Sequence, residues 1–473
     1  MKITFKKDIS DALQDKQLRG NFDRVMTTLM ERRKAAFSDP QELETLRDQG
    51  NRIRRNAISK LSELLATLEK QCTKNGIHVH WAEDAAEGNQ IVLDLLQAKK
   101  VTQLVKGKSM LSEEMHLNPF LEKHGIQCLE TDLGEYIIQL AEEPPSHIVA
   151  PAIHKNKKQI AELLHEHIEG MEYTEDIEEL TQAARHALRG EFSQAQAGIT
   201  GVNFAVAETG TLCLVENEGN GRYCSTLPPL HIALMGLDKV VEKLSDIPPL
   251  LSLLTRSATG QPITGYFNMI SSPRKAEEQD GPEEVHLVIV DNGRTRIHQD
   301  SELSQVMTCI RCGACMNHCP VYSRIGGHAY GETIPGPIGE ILMPQLRGLD
   351  CAGHLAGAST LCGACSEVCP VKIPIPDLLL RLRYENVRKP GESSVQGAGS
   401  LRSFTESMVW KSWRLAHAHP AIWKMQRKMI GLLGDKLPEN LPVLNQWTKY
   451  RTAPKLSKIS LHDMVKENGI DEE

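Results

Sequence analysis

The chain has 473 residues, 40% of them hydrophobic and 24% charged. This composition excludes disordered, collagen-like and membrane-embedded classes and suits about three folded domains. Its 54 Lys plus Arg against 61 Asp plus Glu give a formal charge of −7, so there is no global positive field to grip nucleic acid phosphates.

No apolar run approaches the ~20 residues of a membrane span, and the opening MKITFKKDIS lacks a signal-peptide core. A cytoplasmic protein is expected. Twelve cysteines in a reducing compartment then point to metal ligation or redox work rather than disulfides.

Residues 1–70 read as a helical segment, with Ile58, Leu61, Leu64, Leu65 and Leu68 at helical spacing. From 71 to about 300 the pattern is α/β. Strand candidates at 77–81, 101–105, 126–129 and 147–150 alternate with helix candidates at 85–98, 112–124, 133–141 and 155–167, which implies a parallel sheet covered by helices. Further strands are predicted at 211–215, 231–235 and 285–290. Glu218-Gly219-Asn220-Gly221 and Ser271-Ser272-Pro273 read as turns.

A separate module spans 301–388, since eight of the twelve cysteines fall between 309 and 369. Residues 389–402, beginning Lys389-Pro390-Gly391-Glu392, read as a linker. The remaining 403–473 is a helical domain carrying Trp410, Trp413, Trp423 and Trp447. Ile422, Met425, Met429, Leu432 and Leu433 follow Pro420 at helical spacing.

The first cysteine run, Cys309-x2-Cys312-x2-Cys315-x3-Cys319-Pro320, matches the bacterial ferredoxin run, whose fourth cysteine ligates the other of two clusters. The second run is Cys362-x2-Cys365-x3-Cys369-Pro370. Interleaving assigns Cys309, Cys312, Cys315 and Cys369 to one [4Fe-4S] cluster and Cys319, Cys362 and Cys365 to the other. Gly313-Ala314 and Gly363-Ala364 let the backbone approach inorganic sulfide.

One ligand is missing, because Ser359 stands where the second run calls for cysteine. Cys351, the Ser359 oxygen, a non-protein or partner ligand, or a three-iron cluster would each resolve the gap. Zinc is the competing reading of Cys-x2-Cys pairs, but it requires neither the triple run nor two Cys-Pro endings. Cys72, Cys128, Cys213 and Cys224 read as small buried hydrophobes. Residues 309–376 carry four basic and four acidic side chains, so local charge does not set a potential.

These cysteine runs, together with Gly198-Ile199-Thr200-Gly201-Val202, Ala207-Glu208-Thr209-Gly210-Thr211 and a Trp-rich tail from near Phe404, resemble the lactate utilisation protein B family over nearly the whole length. The runs alone are also similar to glycolate oxidase iron–sulfur subunits and small heterodisulfide reductase subunits; the α/β segment separates the chain from those. The resemblance implies a LUD domain similar in fold to the sugar-phosphate isomerase and CoA-transferase group, followed by an α-helical ferredoxin-like domain with two [4Fe-4S] clusters. It also implies an electron-transfer component, rather than the sole catalytic chain, of a system oxidising L-lactate to pyruvate. Its partners would be a cysteine-rich protein and a shorter LUD protein. The alternatives are a self-sufficient hydroxy-acid oxidoreductase using the LUD pocket and a glycolate-oxidase-like iron–sulfur subunit.

Other signals are weaker. Lys106-Gly107-Lys108-Ser109 after a predicted strand would cradle an anion or be a surface turn. Glu208 and Arg222 are candidates for a general base and a carboxylate partner, set against a scaffold loop. His78 and His80 share a strand face, whereas His165 and His167 diverge on a helix; neither pair has a visible third metal ligand. No Gly-x-Gly-x-x-Gly follows a strand, so no Rossmann nucleotide site is indicated. Residues 401–460 hold eleven Lys or Arg against three Asp or Glu, which suits a solvated basic face with tryptophans in a local core, partner docking, or peripheral membrane contact.

Overall fold

The computed structural model describes residues 5–389, 391–399, 401, 403–433 and five isolated positions between 459 and 468. The chain divides into two units, Met1–Leu401 and Arg402–Glu473.

Four helices open the first unit: α1 (Phe5–Gln14), α2 (Lys16–Ala36), α3 (Pro40–Ser59) and α4 (Leu61–Lys74). Asp15 and Asp39 start α2 and α3 by accepting backbone N–H groups, and Pro40 occupies the first turn of α3. Their apolar faces bury Phe22, Met26, Ile58, Leu61, Leu65 and Leu68 in one core with the small sheet described below and the cysteine module. The N-terminal helices therefore join those two parts of the fold.

The α/β region runs β1 (His78–Ala82), α5 (Ala85–Ala98), β2 (Gln103–Lys106), α6 (Met110–Glu114), α7 (Leu117–Lys123), β3 (Gln127–Glu130), α8 (Leu133–Leu140), α9 (Lys157–His167) and α10 (Ile177–Gln194). It continues with β4 (Ala197–Gly201), β5 (Phe204–Val206), β6 (Thr211–Glu216), α11 (Asn220–Thr226), β7 (Leu230–Gly236), β8 (Val240–Val241), α12 (Ile247–Ala258), β9 (Tyr266–Ile270) and β10 (Glu284–Val290). Six strands form an all-parallel sheet in the order β1-β10-β7-β4-β2-β3. Its central strands are buried on both faces, as a helix-covered parallel sheet requires. A second sheet, β8-β5-β6-β9, pairs β5 with β6 and β6 with β9 antiparallel; the sequence reading does not anticipate it. At Gly198 in β4, a Cβ would lie 1.8 Å from the Cys224 carbonyl oxygen, so only glycine lets α11 pack this closely.

Three expectations need correction. Residues 147–150 form no strand, because the Val149 and Ala150 N–H groups donate to His147 Nδ1 at 3.0 and 3.1 Å, turning the backbone locally instead of pairing it. The predicted helix 112–124 is two helices, broken where His116 adopts a left-handed φ of 52°. Gly219 does turn, at φ 83°, but Asn220 and Gly221 begin α11.

His231 on β7 is buried and bonds Thr200 through Nε2 at 2.9 Å. Burial, helped by His286, pulls its pKa from 6.5 down to about 4. Between those values the unfolded chain takes up a proton that the fold refuses, so stability falls as pH falls through this window. Urea titrations at pH 7 and pH 5 are expected to show a smaller pH loss for His231→Gln than for the parent; equal losses would contradict the assignment.

After α13 (Arg294–His298), the cysteine module contains α14 (Ala314–Asn317), α15 (Tyr322–Ile325), α16 (Gly336–Arg347), α17 (Leu349–Ala352), α18 (Ala364–Glu367) and α19 (Ile375–Val387).

The second unit shows α20 (Phe404–Ala418) and α21 (Pro420–Leu433). Trp410 packs on Trp413, and Trp413 and Trp423 pack on His417, yet all three tryptophans are exposed, so of the three readings of this segment the one with tryptophans in a local core is not met among the described residues. Met425 and Met429 are exposed as well. Trp447 and the side chains of Leu432 and Leu433 lie outside the described residues. Among the described residues, no helix is long and apolar enough to cross a membrane.

Candidate iron–sulfur site and adjoining cleft

The two cysteine runs follow the same backbone path. In the first, Arg311 (φ 61°) and Gly313 (φ 76°) are left-handed and α14 follows; in the second, Leu361 (φ 57°) and Gly363 (φ 88°) precede α18. This path turns N–H groups onto sulfur. Arg311 N–H donates to Cys309 Sγ at 3.3 Å, Tyr322 N–H to Cys319 Sγ at 3.5 Å and Ile373 N–H to Cys369 Sγ at 3.4 Å. Hydrogen bonds of this kind stabilise negative sulfur and tune cluster potential.

Six of the seven motif cysteines are buried, and Cys362 is exposed. Cys312 and Cys315 are electrostatic neighbours of Cys309 and Cys369, whereas Cys319 and Cys365 neighbour Cys362. Cys315 also feels Cys365, so the two groups adjoin. Burial, with neighbouring sulfurs adding to it, pushes the Cys365 thiol up to about 12 and those of Cys319 and Cys369 up to about 11. As free thiols they stay protonated; thiolates crowded this way need a bound cation in place of the protons. The donor set fits an iron–sulfur group.

Four arginines reach the first group. From α2, Arg33 donates to Val368 O at 3.2 Å, and from α3, Arg47 donates to Cys369 O at 2.9 Å and Ser366 O at 3.1 Å. Arg54 donates to Thr308 O and Met307 O just before Cys309, and Arg311 lies within the run itself. Three of these four stand outside 309–376, which is why local charge counting misses them. The second group instead faces Glu340 of α16, a fully buried carboxyl beside Cys319 and Cys365. Burial pushes its pKa up to about 8, and its Oε2 has no hydrogen-bond partner.

That geometry bears on the missing ligand. The Ser359 hydroxyl accepts from Leu361 N–H at 3.2 Å and Cys351 is exposed on α17. Glu340 is a further oxygen donor that the sequence reading misses, because its position in α16 carries no motif signal.

A cleft of about 270 Å³ opens at the carboxyl edge of the parallel sheet. Gly107, Lys108 and Ser109 line it, so this part of the predicted anion cradle faces a cavity rather than bulk solvent. Lys106 does not. It is buried, with Nζ 2.6 Å from Glu130 and 2.9 Å from Ser112 Oγ. Glu208 and Arg222 are both exposed and neither lines the cleft; Glu208 accepts from Leu244 N–H at 3.0 Å. Asn217, Glu218, Asn220 and Gly221 from the same predicted region do line it.

On the cleft floor, Arg294 forms a two-pronged pair with Glu114 at 2.8 Å and donates through Nε to Asp238 Oδ1 at 2.9 Å. Burial works against the Asp238 charge, yet Lys239, Arg294, Arg311 and Arg54 together hold its pKa well below the usual carboxylate range.

His78 and His80 do meet a third histidine. His286 on β10 stacks on both rings, and His80 Nε2 lies 2.9 Å from its Nδ1. His165 and His167 turn back to bond Met171 O and Leu163 O. Glu143, His154 and His328 also gather, but Lys155 Nζ at 2.8 Å already satisfies the carboxylate. Cys72, Cys128, Cys213 and Cys224 are all buried.

Three families match in succession: the LUD domain over residues 65–290, the 4Fe-4S dicluster domain over 305–373 and the lactate utilisation protein B C-terminal region over 381–470. Lactate utilization protein B of Bacillus velezensis is 41% identical over 470 residues, covering 98% of this chain and 96% of the relative. The chain belongs to the lactate utilization protein B family. The member from Bacillus subtilis is likewise 41% identical, over 475 residues, covering 99% of this chain and 97% of its own length. A crystal structure of a DUF162 family protein from Deinococcus radiodurans aligns with 49% of this chain and 98% of its own, at 15% identity and a TM-score of 0.28. By its family matches the chain combines a LUD domain with a 4Fe-4S ferredoxin-like domain.

Proposed function

We propose that this chain is the iron–sulfur electron-transfer subunit of a multi-component cytoplasmic system that oxidises L-lactate to pyruvate. A cysteine-rich protein and a shorter LUD protein are its partners. The observation that carries the reading is the gathering of buried thiols from two distant runs into two adjoining groups. Cys309, Cys312, Cys315 and Cys369 hold one [4Fe-4S] cluster; Cys319, Cys362 and Cys365 hold the other, completed by Glu340, Ser359, Cys351 or a ligand from outside the chain.

Such clusters exchange single electrons, at potentials set by charge, hydrogen bonds to sulfur and exposure. The residues arrange that environment unequally. Arg33, Arg47, Arg54 and Arg311 put positive charge beside the first group, Glu340 and the buried Tyr330 stand beside the second, and the buried Tyr322 neighbours both. The exposed Cys362 gives the second group a route to the surface. Residues 1–70 brace both modules, 71–300 form the LUD domain, 301–388 the cluster module, 389–402 the linker and 403–473 the helical tail. The all-parallel sheet with a cleft at its carboxyl edge supports a fold related to the sugar-phosphate isomerase and CoA-transferase group.

The test is reconstitution. Anaerobic mixtures of this chain with its two partners are expected to form pyruvate from L-lactate while reduced-cluster paramagnetic signals grow in this chain. Omitting it should abolish both, and an unchanged rate without it would refute the reading.

A further inference from the structure

The cleft at the sheet edge takes no part in holding the clusters, yet it is built like a ligand site. Strands β2 and β4 are neighbours, but the chain leaves β2 for β3 on one side and leaves β4 for β7 on the other. Open α/β sheets bind ligands at the carboxyl ends of strands at such a reversal. Gly107–Ser109 follow β2, Gly201 ends β4 with Val202 and Asn203 after it, and Gly236 ends β7 with Asp238 and Lys239 after it, all lining one cavity of about 270 Å³ that Arg311 and Ile334 of the cysteine module also line.

The cavity wall holds bare charged atoms. Lys108 Nζ and Arg311 Nη1 are buried donors without a hydrogen-bond partner, and Asp238 Oδ2 is a buried acceptor without one. Lys108 Nζ is 3.5 Å from Glu135 Oε1, and Arg311 Nη2 is 3.7 Å from Asp238 Oδ2; neither contact forms a hydrogen bond. Buried cationic donors left without a hydrogen bond are disfavoured unless a ligand completes them.

Arg311 decides the ligand class. The cysteine run needs a left-handed residue just before its second cysteine, and in the second run Leu361 fills that place with φ 57°. The backbone therefore does not call for a cation at 311. The guanidinium serves the cleft, while the same residue's N–H donates to Cys309 Sγ at 3.3 Å. A planar guanidinium fork matches a carboxylate. Across the cavity, Glu218 neighbours Asp132, and both line it; burial and that neighbour push the Glu218 pKa up to about 8, so its carboxyl can meet a ligand hydroxyl.

We propose that this cleft binds a short 2-hydroxy or 2-oxo carboxylate, its carboxylate on Arg311 and its C2 oxygen accepting from Lys108, next to the sulfur of Cys309. The choice of a C2-oxygenated acid rests on the lactate-oxidation reading above; the anion site rests on the cavity alone.

The experiment is calorimetric titration of the anaerobically purified full chain with pyruvate, L-lactate, acetate and inorganic phosphate. Saturable binding of pyruvate or L-lactate is expected, with acetate at least about tenfold weaker because it lacks the C2 oxygen. Arg311→Leu, which copies the second run, should weaken binding at least about tenfold, compared at equal iron content. Lys108→Ala, remote from the cysteine loop, decides the matter if Arg311→Leu loses iron. A pyruvate-induced change in the paramagnetic signal of the reduced chain should vanish in the same variants. No saturable binding, binding of phosphate alone, acetate as tight as pyruvate, or unchanged affinity in both variants would each overturn the proposal. The two readings separate cleanly: a chain that binds none of these acids yet is still required for pyruvate formation refutes the cleft alone, and one that binds pyruvate but is dispensable refutes the electron-transfer role.

Discussion

Arg54→Met is expected to destabilise the first unit by more than about 3 kcal/mol and to strip most of its iron, the largest single-residue effect outside the cysteines. Arg54 sits on α3 at 1% exposure. Its guanidinium donates to Val240 O at 2.8 Å, Met307 O at 3.0 Å and Thr308 O at 3.2 Å, and also to Asp238 O. One side chain thereby ties an N-terminal helix to the turn after β7 and to the two residues before Cys309. Burial pulls its pKa down to about 10 while Asp238 and Cys309 pull it back, so it remains a cation at neutral pH. Methionine fills comparable space but leaves four buried carbonyls bare, each costing about 1–3 kcal/mol. Arg54→Lys, with three donors on a single nitrogen, should fall between the two. Urea denaturation with parallel iron and sulfide analysis checks this; a midpoint and iron content equal to the parent's would show that water or neighbours replace the guanidinium.

Arg54 also shows where the sequence stops being legible. The helical segment around it is readable, since Ile58 near the end of α3 and Leu61, Leu65 and Leu68 on α4 repeat at helical spacing and all are buried. A mid-helix arginine, however, has no periodic signature separating it from a solvated one. Its burial comes from carbonyls more than 180 residues away. The same holds for Arg33, Arg47, Lys239 and Glu340, whose proximity to the cysteines is created by tertiary packing.

The parallel sheet is legible for a different reason. Strands such as 285–290 and 231–235 are apolar runs, aliphatic apart from His286, His231 and Met235 and without the alternation of a half-exposed strand, the mark of burial on both faces, and the structure places them as β10 and β7. β4, by contrast, is Ala197-Gly198-Ile199-Thr200-Gly201. Two glycines lower its apparent strand character, although Gly198 is what the close approach of α11 demands. His147 misleads in the opposite sense: an apolar run follows it, yet its ring captures the N–H groups that a strand would have paired. Glu208 and Arg222 attract notice as charges beside turn glycines, and the chain carries both to the outside of the cleft. Lys108 lies in a stretch visible from sequence, but Arg311 is masked by the cysteines flanking it.

Cys369→Ala is expected to erase the same cluster signal as Cys312→Ala, although the two lie in different runs, while Cys319→Ala should erase the signal lost in Cys365→Ala. The argument is geometric. The first run curls three cysteines, and the second run two, through a left-handed residue and a glycine into a short helix, α14 or α18, which turns the cysteine preceding the proline away from its own run. Cys369 is held in that position from both sides: Ile373 N–H reaches its sulfur at 3.4 Å, and Arg47 grips its carbonyl at 2.9 Å. The sulfurs it influences are those of Cys309, Cys312 and Cys315. Each substitution should remove roughly half the iron and leave the other signal intact, since each group keeps its own ligands. Paramagnetic resonance of the four reduced variants reads the pairing directly. If Cys319→Ala and Cys312→Ala instead lose the same signal, each run wraps a single cluster by itself. The N–H groups of Tyr322 and Ile373 would then serve sulfurs of separate, self-contained loops, with Arg47 of α3 beside the second run, Arg54 of α3 beside the first and Arg33 of α2 between them.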